Sequence, residues 1–286
     1  MNITTESSKS VWEIVNTLVQ EMKQGKLELP VLPQVVSHIQ EALADPDISL
    51  DKIARTVEKD AAISARLMAI ANTSYYARAK KAKTVKEAIL RLGEKETSHI
   101  VIAVANRSLF RTRSPQFKKL MEHLWRHSLA TAHSARMIAD QLEFKNSEKP
   151  FFMGLLHDIG KTIILQKLTE RPGISKTFDA DAINQSMHEA HLSIGGVILR
   201  KWRFEKDFVR VATLHEGPKF YPPVSKSVLI VNLANALTRK IGYSLITDDG
   251  IDLIDLDSAR RLNLSPDILG AIRKKTETLM KSVEIN

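Results

Sequence analysis

Gly154-Leu155-Leu156-His157-Asp158-Ile159-Gly160-Lys161 closes an apolar run with an imidazole and a carboxylate side by side. Both groups are good ligands for a divalent metal. Neighbours on one helix point about 100° apart. His157 and Asp158 can therefore meet on one ion only together with side chains from other helices. Three further histidines are available: His127 in "LWRHSLATAHSARMIA", and His191 and His215 downstream. A later helix would have to supply an acid, and there the chain carries Asn235.

The surrounding sequence reads as helix almost throughout. Val11, Ile14, Val15, Leu18, Val19 and Met22 recur at helical spacing, with Gly25 as a stop. Pro33 suits the first turn of a helix running to about residue 44. "DPDIS" at 45–49 predicts a turn, with Ser49 capping the next helix. A further helix is expected from about Ala61 to Asn72. Thr84 and Glu87 form a capping box before "AILRLG", which Gly93 ends. "KETSHIVIAVANRSLF" predicts a buried helix, with a strand left open by its β-branched residues. Helices are expected at 117–142, 149–168, 181–203, 205–215, 225–241 and 265–282, and a short β-type segment could fall within 247–258. No alternating run is long enough to argue for a sheet. The expected fold class is all-α, a multi-helix bundle.

Composition narrows the function classes. The chain of 286 residues has no cysteine, which excludes disulfides and thiolate metal sites and fits a reducing compartment. No basic-then-apolar leader pattern opens it, and its apolar runs are too short to span a bilayer. A cytoplasmic protein without membrane attachment is expected. Residues 78–119 hold twelve Lys/Arg against three Asp/Glu and so carry the whole net charge of +9. Such an excess can attract phosphates or nucleic acid. Phe110 and Phe117 are the stretch's aromatics, too few for stacked single strands, so nucleic acid is not the expected partner.

Two parts of the chain resemble known patterns. Residues 29–108 are similar to the N-terminal part of the HDOD family in Leu29-Pro30, Leu32-Pro33, "DPDISLDKIARTVEKDAAISARLMAIANTSYY" and "TVKEAILRLG". Residues 117–237 resemble the HD-type helical core of metal-dependent phosphohydrolases and HD-GYP phosphodiesterases. The resulting division is an N-terminal amphipathic helix at 1–28, a helical half at 29–115, an HD-like half at 116–242 and a C-terminal extension at 243–286.

The resemblance implies an all-helical fold and a regulatory or signalling role in bacteria, with an active site that has often decayed. It assigns His127, His157, Asp158, His191, His215 and Asn235 to the metal positions, and Asp158 and Lys161 to catalysis. Lys161 would hold a substrate phosphate as a point charge. The chain departs from the pattern at two places. Leu214 stands where HD-GYP enzymes have the first of two adjacent histidines, and "FYP" at 220–222 only echoes their signature. Asn235 replaces an aspartate, and a neutral amide oxygen binds a hard cation less well.

Two readings follow. The first is a signalling module with a partly degenerate site, acting through a protein partner in trans or a nucleotide or phosphate ligand. The second is a phosphohydrolase using Fe, Mn, Mg or Zn on a nucleotide-like phosphate ester. The departures at Leu214 and Asn235 place the first ahead at this stage.

Overall fold

The computed structural model describes residues 3–28, 57–58, 61–73, 75–76, 81–170, 179–245, 250 and 252–284. The expected helix at 33–44, the turn at 45–49 with its Ser49 cap, and Arg78 and Lys80 lie outside the described residues. In chain order the helices are α1 (Ile3–Lys23), α2 (Ala61–Ala71), α3 (Val85–Leu92), α4 (Glu94–Asn106) and α5 (Pro115–Gln141). They continue as α6 (Glu148–Leu156), α7 (Ile159–Thr169), α8 (Ala180–Lys201), α9 (Lys206–Leu214), α10 (Lys226–Lys240), α11 (Asp257–Leu262) and α12 (Pro266–Glu284). Single 3-10 turns cover Arg107–Phe110 and Leu253–Asp255. The described residues contain no strand, so the open strand option at 95–110, and that within the described part of 247–258, are not realised.

Local chemistry sets the helix ends. Thr84 Oγ1 accepts from the Glu87 N–H at 3.1 Å, while the Glu87 carboxylate reaches the Lys83 N–H at 2.6 Å, one residue before the cap. Gly93 takes φ 80° and donates its N–H to Ile89 O at 2.8 Å, which ends α3 with a conformation that costs glycine little. Asp179 accepts from the N–H groups of Asp181 and Ala182 at the start of α8, and Ser225 accepts from Val228 at the start of α10. Pro115 opens α5, where a missing N–H costs nothing.

The 27-residue α5 is the axis of the HD-like part. It packs against α6 and α10, and α12 lies along it too. Its inward face alternates Leu124, Leu129 and Ile138 with Ala130, Ala132 and Ala135, so large side chains of neighbours can close in. Gly154 of α6 uses that space: a Cβ there would sit 2.9 Å from Ala132 Cα. Helix α1 docks across α8 and α7 through Val11, Val15, Leu18 and Met22, as its stripe predicted, although it starts at Ile3. On the N-terminal side α2, α3 and α4 pack together, and α4 reaches α6.

One expectation needs correction. The helix expected at 149–168 is two helices, broken at His157 and Asp158. His157 keeps helical angles, but Asp158 swings to φ −100° and ψ 17°. The turn lets the Asp158 side chain leave the helical path and point into the bundle.

Candidate metal centre

Four helix ends and faces deliver the imidazoles. His127 comes from the middle of α5, His157 from the end of α6, His191 from α8 and His215 from the end of α9. All four are buried, as is Asp158. His127 Nε2 and His157 Nε2 are 3.2 Å apart, and each lies 3.5 Å from Asp158 Oδ2. On the other side of the same carboxylate, His191 Nε2 and His215 Nε2 are 3.4 Å apart and lie 3.4 and 3.3 Å from Oδ1. Asp158 therefore stands between two pairs of histidines, one per oxygen.

The tautomers are fixed from behind. His127 Nδ1–H donates to Tyr243 O at 2.6 Å and His157 Nδ1–H to Gly154 O at 2.7 Å. His191 Nδ1–H donates to His188 O at 2.7 Å and His215 Nδ1–H to Val211 O at 3.1 Å. A neutral imidazole has one N–H. With it spent on a carbonyl, the Nε2 of each neutral ring presents a lone pair, and two lone pairs facing at 3.2–3.4 Å repel unless a proton or a metal ion lies between them. Two nitrogens held about 2.1 Å from one ion at about 90–109° are about 3.0–3.4 Å apart. Asp158 Oδ1 is buried and accepts no hydrogen bond. The donor set thus fits divalent metal, with His127, His157 and Asp158 as one group and Asp158, His191, His215 and Glu216 as the other.

Glu216 was not among the residues expected from the sequence. Its Oε1 lies 3.6 Å from His215 Nε2 and 3.8 Å from His191 Nε2. Arg239, from the last turn of α10, grips both Glu216 oxygens. Leu214 points outward, half exposed, and offers no donor, while the Glu216 carboxylate two residues later faces the same histidines. A sequence signal was available, since Glu216 directly follows His215 at a helix end and Arg239 shares a helix face with Asn235 at i+4. Asn235 is buried, and its Oδ1 is without a hydrogen-bond partner.

Charge is balanced inside the bundle. Lys161 Nζ donates to Asp158 Oδ2 at 2.7 Å and lies 3.7 Å from Glu216 Oε1. Burial by itself would raise the Asp158 carboxyl, but Lys161 and the imidazoles hold it well below the usual carboxylate range. Glu216 is lowered in the same way against its burial, by His215, Lys161 and Arg239. Burial pushes His127 down to about 4 and His191 to about 3, and lowers His157 strongly, so these three imidazoles are neutral near pH 7. Burial also acts to lower His215, but Asp158 and Glu216 flank its Nε2 and raise it. A proton and a bound metal ion would compete for that lone pair.

The centre opens on a narrow cleft with free space of about 20 Å³, whose lining includes His127, Asp158, Lys161, Asn184 and Ser244. Two of the remaining histidines are placed elsewhere. His123 is partly exposed on α5, and His133 belongs to a separate buried cluster with Glu96, His99 and Arg136. Glu189 lies at the surface, hydrogen-bonded to the Trp12 indole. Among the described residues no helix is long and apolar enough to cross a membrane.

The described residues thus form an all-helical bundle in which four histidines gather around Asp158. The HDOD domain pattern matches residues 29–218, and the chain belongs to that family. The fold is shared with a Shewanella amazonensis protein provisionally assigned as a metal-dependent phosphohydrolase, at TM-score 0.75 and 24% identity over 97% of this chain and 99% of that one. It is also shared with a Marinobacter aquaeolei protein provisionally assigned to signal transduction, at TM-score 0.70 and 17% identity over 97% of this chain and 65% of that one. An uncharacterised Treponema pallidum protein is 22% identical over 85% of this chain and 49% of its own length. The chain spans about half the length of that relative, and about a quarter of a 28% identical ribonuclease Y from Thermosipho melanesiensis.

Proposed function

We propose that the chain is a metal-dependent phosphohydrolase with a two-ion centre bridged by Asp158. The observation that carries this reading is the uniform tautomer of the four imidazoles. Every Nδ1–H is tied to a backbone carbonyl and every Nε2 is turned toward one carboxylate. A vestigial site has no reason to keep that arrangement, because facing lone pairs without a cation are a cost to the fold. The arrangement reverses the order of the two readings drawn from the sequence alone.

His127, His157 and Asp158 would hold one ion, and Asp158, His191, His215 and Glu216 the other. Bound divalent ions would supply Lewis acidity to a phosphoryl oxygen and acidify water. Lys161 lines the cleft beside them, where its ammonium offers a fixed positive charge to a non-bridging phosphate oxygen. Arg239 keeps Glu216 ionised and pointed at His215. Asn184, whose Oδ1 is buried without a partner, lies at the cleft where a substrate group would pass. A nucleotide-like ester is the substrate class that this charge pattern favours.

The test is metal analysis of protein purified without chelator, followed by hydrolysis of bis(p-nitrophenyl) phosphate and of mono-, di- and cyclic nucleotides with Mn²⁺, Fe²⁺ or Mg²⁺. Metal content near two per chain and turnover lost in Asp158→Asn are expected. A chain that takes up no metal and turns over none of these esters returns the site to the signalling reading. That second reading draws support from Asn235, which leaves the first ion one carboxylate short.

A further inference from the structure

Helix α9 ends at Leu214, and the carbonyls of a helix's last turn have no partners within the helix. His215, the next residue, keeps helical angles, and Gly217 does not take the left-handed conformation that commonly closes a helix. The partner comes instead from α10. The Asn232 Nδ2 group donates to His215 O at 2.7 Å and to Gly217 O at 3.2 Å. A carboxamide has two such hydrogens, so both are spent on this one turn.

The two carbonyls flank Glu216 in the chain. Asn232 thereby fixes the backbone before and after that residue, while Arg239 grips its carboxylate. Asn232 and Arg239 are seven residues apart on α10, two turns along one face. His215 is tied at both ends of its backbone. Its N–H donates to Val211 O at 3.0 Å, and its O accepts from Asn232. Both side chains are buried, Asn232 at 8% exposure and His215 at 0%. A buried carbonyl that loses its donor costs free energy, so the turn would shift to recover one.

We propose that Asn232 is a positioning residue of the centre, setting the His215–Glu216–Gly217 backbone so that the imidazole and the carboxylate face His191 together. This rests on the two-ion reading of the site and assigns to it a residue that acts through the backbone alone. It predicts an effect confined to one of the two groups. A helix cap with no further role would leave the affinity of both groups unchanged, or alter both through a loosened bundle.

The test is calorimetric titration of the full chain with Mn²⁺ in two backgrounds. His127→Ala leaves the His191–His215–Glu216 group, and His191→Ala leaves the His127–His157 group. Adding Asn232→Ala should weaken Mn²⁺ binding about 10–100-fold in the first background and less than about twofold in the second. In chelator, the amides of His215 and Gly217 should exchange faster in Asn232→Ala than in wild type, with those of α6 unchanged. Asn232→Leu, which keeps the branch at Cγ and drops the donors, should repeat these results and decides the matter if the alanine variant fails to fold. Unchanged affinity in the first background, equal weakening in both, or unchanged exchange at His215 and Gly217 overturns the proposal and leaves the two-ion reading standing. Failure of both backgrounds to take up Mn²⁺ with Asn232 intact overturns that reading itself, and the proposal falls with it.

Discussion

Arg239 holds Glu216 through both carboxylate oxygens, and Glu216 faces His215 Nε2 at 3.6 Å. The arginine touches none of the histidines' lone pairs, so its part is to position. Partners of this kind typically change metal affinity about 10–100-fold when removed. Arg239→Ala is expected to weaken the His191–His215–Glu216 group by that factor and to spare the His127–His157 group. Calorimetric titration with Mn²⁺ should then resolve one tight and one weakened event. Arg239→Lys restores the charge but not the two-oxygen grip, and should fall between. Two events weakened equally would remove the positioning role.

Asp158 is shared by both groups, so its loss differs in kind from the loss of any one histidine. Asp158→Asn should bring bound metal down from about two per chain to below one, measured by elemental analysis after dialysis. His127→Ala should remove one ion and leave the other. A full complement of two ions in Asp158→Asn would contradict the bridging role.

The features legible in the sequence are those with a local signature. Adjacent His157 and Asp158, the stripe of α1, the Thr84–Glu87 cap and the stop at Gly93 each announce themselves within a few residues. His127, His191 and His215 were legible through their order along a resembled pattern, and burial brings all three to the centre. The break between α6 and α7 was not legible. "GLLHDIGKTIIL" has no proline or other local breaker at the junction, and Asp158 alone leaves helical angles. Glu216 was missed because an acid at a helix end usually reads as a solvated surface residue. Its role depends on Arg239, 23 residues away.

Gly160 and Gly270 offer a paired test of the packing that positions the site. A Cβ on Gly160 would lie 2.1 Å from His191 O and 2.9 Å from Gly195 N, backbone atoms of α8 that cannot move without moving His191. Gly160→Ala should therefore separate α7 from α8, cost several kcal/mol, and cut metal uptake. Gly270 lies inside α12 with nothing within 4 Å of an added Cβ. Gly270→Ala should stabilise by about 0.5–1 kcal/mol through helix propensity alone. Thermal melts of the two variants should move in opposite directions.

Acid should destabilise the fold partly through His133. Burial pushes this imidazole down to about 3 from an ordinary 6.5, with Glu96 opposing and Arg136 and His99 reinforcing the shift. The folded state therefore keeps His133 neutral while the unfolded chain protonates it below about pH 6.5. Between pH 6.5 and 3 the unfolded state binds the extra proton, so stability rises with pH across that window and is complete above it. One unit below the unfolded value, at pH 5.5, the cost from His133 is about 1 kcal/mol. Glu96, held down by its own partners against burial, adds to acid lability only below its ordinary carboxylate range. His133→Gln removes the titrating group, and its denaturation free energy, followed from pH 7.5 to 4.5 in chelator, should fall less steeply than that of wild type by up to one proton. Parallel curves for the two proteins would mean that His133 is not held neutral in the folded state.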